Sequence, residues 1–201
     1  MKSKPSLILA SKSPRRKELL TQLGYQFTCL SADIDETVKD NEPAKQYVVR
    51  LAIEKATFIA KKHPKTTLVL GSDTSVVFEN HILGKPVDLN DCLRQLLLLS
   101  DQQHQVITAI AVVKGQQVDC IAVTTDVTFK ALSKAEIIRY WHTGEPQDKA
   151  GSYGIQGIGG QFVKQITGSY SAVVGLPLYE TAQLLAQFGM PTPVQDITGI
   201  N

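Results

Sequence analysis

Residues 66–73, Thr-Thr-Leu-Val-Leu-Gly-Ser-Asp, and the Thr74 that closes the stretch place Leu68, Val69 and Leu70 on consecutive positions. A half-buried strand alternates apolar with polar side chains. A consecutive apolar run reads instead as a strand covered on both faces, the condition of a central strand in an α/β sheet. The pattern predicts that this strand ends at Gly71-Ser72 and presents Asp73 and Thr74 just beyond its end. In open α/β sheets, groups outside the carboxyl ends of the strands line the ligand crevice. A carboxylate delivered there is placed to bind a metal or to take a proton from water. An aspartate after a strand also serves simply to satisfy a turn. This stretch alone leaves both readings open.

The chain before it reads as strand, helix, strand, helix. Ser6–Ala10 forms the first strand. Ser13 is a good N-cap, Pro14 suits the first helical position, and Gly24 suits the stop, so a helix is expected to about Leu23. Arg15 and Arg16 occupy its first turn, where the helix dipole disfavours cations. Free N–H groups together with two arginines make an anion site, most naturally for phosphate; the plainer reading turns both arginines to solvent. A second strand is expected over Gln26–Leu30, followed by the acidic loop Asp33-Ile-Asp-Glu36. Such loops are usually solvated surface, but carboxylates near a phosphate site also suit Mg²⁺ shared between protein and substrate. A helix over about Pro43–Lys62 carries Val48, Leu51, Ala52, Ala56 and Ile59 on one face. Lys55 falls on that stripe. It either snorkels outward or enters a cleft to meet phosphate, and the residues alone favour snorkelling.

Beyond Asp73, Thr74–Phe78 and Ile82-Leu83 are expected to form a hairpin, closed by the turn Gly84-Lys85-Pro86. The flanking residues restrain Lys85, a second candidate phosphate contact. Asp88 can cap a helix to about Leu99, and Gln105–Val113 with Val118–Lys130 read as two long strands. Ser133-Lys-Ala-Glu136 is a capping box opening a helix that Gly144 closes. The glycine-rich run Ala150–Gly160 has neither dinucleotide-fingerprint nor P-loop spacing. Its glycines let a backbone approach a ligand, and Gln156 has the donors and acceptors to read a base edge. Composition alone supports a flexible surface loop equally well. A strand over Phe162–Ile166 and a last helix to about Phe188 follow, and the dozen residues after Gly189 read as a loose tail.

Composition narrows the class. The 201 residues suffice for one domain with a real core, or one folded as two lobes, and no repeat or linker divides them. Net charge is only +2, too small for a surface that coats nucleic acid. The three cysteines, Cys29, Cys92 and Cys120, have neither zinc nor redox spacing, which fits reduced thiols in a cytoplasmic protein. Leu7–Ala10 is too short for a signal-peptide core, and no transmembrane run is present.

Taken in order, these features resemble the Maf family, once called septum-formation inhibitors and now nucleoside triphosphate pyrophosphatases. The match runs from about Ser6 to Phe188. Tyr153-Gly-Ile-Gln-Gly157 and Gly168-Ser-Tyr170 look like the branch acting on dTTP and UTP, with modified pyrimidine nucleotides as a further candidate substrate class. The resemblance implies an α/β fold like that of inosine triphosphate pyrophosphatases: a mixed twisted sheet with flanking helices and two lobes around a cleft. It also implies a homodimer and a divalent cation, Mg²⁺ first, with Mn²⁺ or Co²⁺ as alternatives. Carried over by position, Asp73 would be the catalytic proton acceptor, and Arg15, Thr74 and Gln156 would govern substrate choice. Ser11, Arg16, Glu36, Lys55 and Lys85 would line the phosphate and metal region, with Glu36 and Asp73 on the metal. Ser72 stands where the family often has Ala, and the tail after Gly189 matches nothing in it. A reading from another class, a non-catalytic nucleotide sensor or a regulator of cell division, would use the same phosphate-binding residues without turnover.

Overall fold

The computed structural model describes residues 6–195. Strand β1 (Leu7–Ala10) is buried along its whole length. It pairs in parallel with β2 (Thr28–Cys29) on one side and β3 (Leu68–Phe78) on the other. Helix α1 (Pro14–Gln22) follows β1, and α2 (Ala44–Ala60) precedes β3. After β3 come β4 (His81–Leu83), α3 (Leu89–Leu99), β5 (Gln103–Lys114), β6 (Gln117–Phe129) and α4 (Lys134–Trp141). The chain closes with β7 (Val163–Thr167), α5 (Tyr170–Val174) and α6 (Leu178–Gln187). Among the described residues the strands form a seven-stranded mixed sheet in the order β2-β1-β3-β5-β6-β7, with β4 paired to β3 off that path. This is the mixed α/β class expected. Among the described residues no helix is long and apolar enough to cross a membrane.

The chain divides into two compact units. The first takes in the chain up to Asp73, Thr108–Ala122 and the chain from Gly175; the second is Thr74–Ile107 with Val123–Val174. Strands β3, β5 and β6 each supply residues to both.

In the first unit, Ile8 and Ala10 of β1 and Val69 of β3 pack against Ala56 and Ile59 of α2 and Val113 of β5. Gly71 sets how close α2 comes. A methyl at that position would stand 2.2 Å from the Ala52 carbonyl oxygen and 2.9 Å from the Ala56 amide nitrogen. Only a residue without Cβ lets the helix backbone lie directly on the strand. That approach brings α2 down on β3 two residues before Asp73.

In the second unit, the outer half of β3 pairs antiparallel with β4, Val76 opposite Leu83. Antiparallel β6 and β7 pair Asp126 with Thr167, with an irregularity at Thr128 and Phe129. Phe129, Phe162, Leu96, Leu99 and Ile137 form the buried centre. Local signals set the helix starts: Asp88 accepts from the Asp91 amide at 2.8 Å, and Ser133 and Glu136 form the reciprocal capping box.

Three expectations change. The strand expected to end at Gly71-Ser72 runs on to Phe78. Gly71 there serves the approach of α2 rather than a break, and β-branched Thr74, Val76 and Val77 with partner β4 continue the strand. Asp73 therefore stands within a strand, not beyond one. The second strand shrinks to Thr28–Cys29, because its side chains are exposed and gain little burial. The segment after Gly189 is tied down where it is described. The Met190 carbonyl accepts from the Tyr25 hydroxyl at 3.0 Å, and Thr192 is buried. The rest of the expected tail, residues 196–201, lies outside the described residues.

Candidate active site

Asp73 is 7% exposed, at the point of β3 where the first unit ends. Its neighbour comes from α2. Lys55 lies between Ala52 and Ala56, the residues that meet β3 at Gly71, so the close approach that needs Gly71 also carries Lys55 to Asp73. Lys55 Nζ lies 2.7 Å from Asp73 Oδ1 and 2.8 Å from Glu36 Oε1. At 8% exposure Lys55 does not snorkel; it turns inward between two carboxylates. A charge buried this way persists because it is paired and hydrogen-bonded. Burial pushes the Asp73 carboxyl up, Lys55 and Arg16 pull it down, and the net is above the ordinary value. An aspartate tuned upward is a better proton acceptor near neutrality than an ordinary one.

Helix α1 brings the first-turn arginines into the same unit. Ser13 caps it, accepting from the Arg16 amide at 3.4 Å, and Ser11 Oγ accepts from the Ser13 amide at 3.1 Å. Ser11 is buried. Arg16 is half-buried and its Nε donates to the Gly175 carbonyl at 2.9 Å. Ser72 Oγ donates to that carbonyl at 3.0 Å. One carbonyl thus joins the start of α1 to the residue before Asp73. Burial lowers the Arg16 pKa while the Asp73 charge opposes the fall, so the two groups feel each other electrostatically. Arg15 is half-buried beside it.

Glu36 comes from the acidic loop, and the residues that hold this loop are ones sequence reasoning passed over. Arg50 of α2 grips Glu42 through two bonds, Nε to Oε1 at 2.6 Å and Nη2 to Oε2 at 2.7 Å. The same Nη2 donates to the Thr37 carbonyl at 3.0 Å, and Nη1 reaches Glu54 at 3.3 Å. The Tyr47 hydroxyl donates to the Glu36 carbonyl at 2.8 Å. Its pKa is pushed up to about 12, by burial first and then by the charges of Asp73 and Glu36. The i,i+4 spacing of Arg50 and Glu54 is visible in the sequence. The grip on Glu42, eight residues back and just ahead of the helix, is not.

The remaining expected residues belong to the second unit. Thr74 follows Asp73 in β3 and is half-buried. Lys85 is exposed in its turn, whose Gly84 carbonyl accepts from the Gly151 amide at 3.1 Å. That bond ties the Lys85 turn to the glycine-rich segment carrying Gln156. Gln156 is exposed, in a turn where the Gly157 amide donates to the Gly154 carbonyl at 3.3 Å. The structure therefore joins Asp73, Lys55 and Glu36 by direct bonds, places Arg16 in their field with Arg15 and Ser11 at the same helix start, and links the segments of Lys85 and Gln156.

As a cation site, the cluster offers two carboxylates. Among the described residues no three His, Cys, Asp or Glu side chains gather. Glu36 and Asp73 converge on one ammonium, and both are hard oxygen donors. Such a pair fits a small divalent ion that fills the rest of its sphere with water and phosphate oxygens.

Residues 6–188 match the family model described as Maf-like protein. A dTTP/UTP pyrophosphatase of Colwellia psychrerythraea is 64% identical over 187 residues, covering 91% of this chain and 88% of its own length. One from Vibrio parahaemolyticus is 54% identical over 188 residues, covering 94% of this chain and 100% of its own length. Among solved structures, a nucleoside-triphosphatase / dITP/XTP pyrophosphatase of Mycobacterium abscessus is 14% identical with a TM-score of 0.43, over 62% of this chain and 74% of its own. That likeness is too slight to build on.

Proposed function

The chain belongs to the Maf family, and we propose that it hydrolyses dTTP and UTP to the nucleoside monophosphate and pyrophosphate. Relatives more than half identical over nearly the whole chain act on these two nucleotides by name. The observation that carries the chemistry is the buried Lys55–Asp73 pair with Glu36 on the same ammonium.

The reaction follows from the parts. Asp73 accepts a proton from water. The water oxygen bonds to the α-phosphorus, the bond from that phosphorus to the bridging oxygen breaks, and pyrophosphate leaves with the electron pair. Asp73 then returns its proton to solvent. Lys55 holds Asp73 ionised and fixes its carboxylate. Arg15, Arg16 and Lys85 bind phosphate oxygens, where charge accumulates in the transition state. Ser11 supports the start of α1 and the phosphate region. A divalent cation, Mg²⁺ by the donor set, would be held by Glu36 and Asp73 and would neutralise phosphate charge. Thr74 and Gln156 take part in substrate choice, Gln156 by hydrogen bonds to the base edge. A cytoplasmic homodimer completes the proposal. The three free thiols fit that compartment, and sedimentation of the purified protein tests the dimer.

The test is a nucleotide panel with Mg²⁺ that separates pyrophosphate from phosphate. Pyrophosphate from dTTP and UTP, abolished by a chelator, is expected. Release of single phosphates would place the attack at the γ-phosphorus and refute the mechanism.

A further inference from the structure

The turn that carries Gln156 is moulded from inside by one carboxylate. Glu145 Oε1 accepts from the Gly159 amide at 2.9 Å and from the Tyr140 hydroxyl at 2.7 Å. Its Oε2 accepts from the Ile158 amide at 2.7 Å. The Tyr140 hydroxyl in turn accepts from the Gly154 amide at 3.1 Å. Bonds from Glu145 and Tyr140 therefore close on the turn from both ends, at Gly154 and at Ile158-Gly159. The carboxylate also fills the space under its middle. A methyl on Gly157 would stand 2.2 Å from Glu145 Oε2, so the residue after Gln156 rests directly on the carboxylate. The approach to the turn is anchored as well: Ser152 donates to Gln95 at 2.8 Å, and the Tyr153 hydroxyl meets His104 Nε2 at 2.9 Å. Burial pushes the Glu145 carboxyl up, but the bonds from Gly159, Tyr140 and Ile158 more than offset this and hold it below the ordinary range. At neutral pH it is ionised and has acceptor capacity only.

We propose that Glu145 is a positioning residue for nucleobase recognition: its carboxylate fixes the Gly154–Gly159 turn in the one conformation that presents Gln156 to a pyrimidine base. The inference rests on the reading that Gln156 meets the base. The network itself is independent of that reading. The network accounts for how a segment with so many glycines holds its turn between two short 3-10 helices, Ala150–Ser152 and Ile158–Phe162. The glycines supply the close approach, and the carboxylate supplies acceptors to the Ile158 and Gly159 amides.

The experiment measures kcat and KM for dTTP, UTP and GTP in four proteins: wild type, Glu145→Gln, Tyr140→Phe and Gln156→Ala. In Glu145→Gln an NH₂ group replaces one acceptor facing the amides of Ile158 and Gly159, so the turn loosens. The expected result is a rise in KM for dTTP on the order of tenfold, larger than any change in kcat, with a comparable fall in the dTTP-to-GTP preference. Tyr140→Phe, which removes only a hydroxyl, moves both quantities the same way by about threefold. It keeps the test open if Glu145→Gln does not fold. If Gln156→Ala collapses the preference while Glu145→Gln and Tyr140→Phe lose only thermal stability, Glu145 is structural and the inference is overturned. If Gln156→Ala itself leaves the preference unchanged, the reading of Gln156 fails, and the inference falls with it for that separate reason.

Discussion

Asp73 and Glu145 are both carboxylates enclosed by donors, and the protein tunes them in opposite directions. Asp73 sits on a strand, its partner is a lysine on a helix, and burial outweighs the attraction of that lysine, so its pKa lies above the ordinary value. Glu145 opens a short 3-10 helix, Glu145–Asp148, its partners are backbone amides and a phenol, and their bonds outweigh burial, so its pKa lies below it. The difference separates a group suited to take a proton from a group suited to stay ionised and hold a backbone in place. It also separates the scaffolds. Regular elements locked by Gly71 fix the carboxylate proposed to accept the proton, whereas a turn presents the residue proposed to meet the base. Chemistry tolerates little displacement, and a recognition loop can vary with substrate.

The largest effect that can break this comparison is at Asp73. Asp73→Asn keeps the shape and removes the proton acceptor, so turnover of dTTP should fall by about 10³-fold, within the range for losing a general base, with circular dichroism unchanged. Near-normal turnover would show that Asp73 is not the acceptor. Lys55→Met is next. It leaves a buried carboxylate without its cation, with an expected stability loss of about 3 kcal/mol in urea titration at neutral pH. The pH profile supplies the sign. Asp73 must be ionised to act, so kcat/KM falls on acidification, with a midpoint above the ordinary carboxylate value of about 3.9. Without the lysine that pulls the value down, the midpoint should move higher still; a midpoint that stays or drops would mean the pair does not tune Asp73.

A comparable test addresses the second region. Burial depresses the His104 ring to about 4, against an ordinary value of 6.5. The unfolded chain binds that proton first as pH falls. The contribution to stability is therefore complete above the ordinary value and is lost as pH drops toward 4, by up to about 3 kcal/mol. His104→Gln should flatten this slope in unfolding titrations run from pH about 7 to about 4. Parallel decline of wild type and variant would clear His104 as the source. The smallest expected effect is at Arg50. Arg50→Lys loses the two-pronged grip on Glu42 and frees the Glu36 loop. The concentration of Mg²⁺ needed for half-maximal rate should rise on the order of tenfold, and an unchanged Mg²⁺ dependence would mean the grip does not position Glu36.

The sequence was most legible where the physics is local. Ser13-Pro14, Asp88 and the Ser133–Glu136 box set helix starts within a few residues of themselves, and those starts stand where expected. Legibility failed where one residue answers to a distant one. Gly71 looked like the end of a strand because its role depends on a helix 15 to 19 positions earlier, at Ala56 and Ala52. Lys55 looked like a snorkelling lysine for the same reason: its burial follows from how closely α2 lies on β3. Arg50 reaches back eight residues to Glu42, just ahead of α2, and Glu145 reaches amides 13 and 14 residues away. No periodicity carries such pairings. Asp73, Lys55 and Glu36 were gathered as one set by the family resemblance, and the structure gives that set its bonds.

The central claim is that water, deprotonated by Asp73, attacks the α-phosphorus. Hydrolysis of dTTP in ¹⁸O-labelled water, followed by mass spectrometry of both products, tests it most directly. The label is expected in the nucleoside monophosphate and absent from pyrophosphate. Label in pyrophosphate would place the attack at the β-phosphorus and contradict the account.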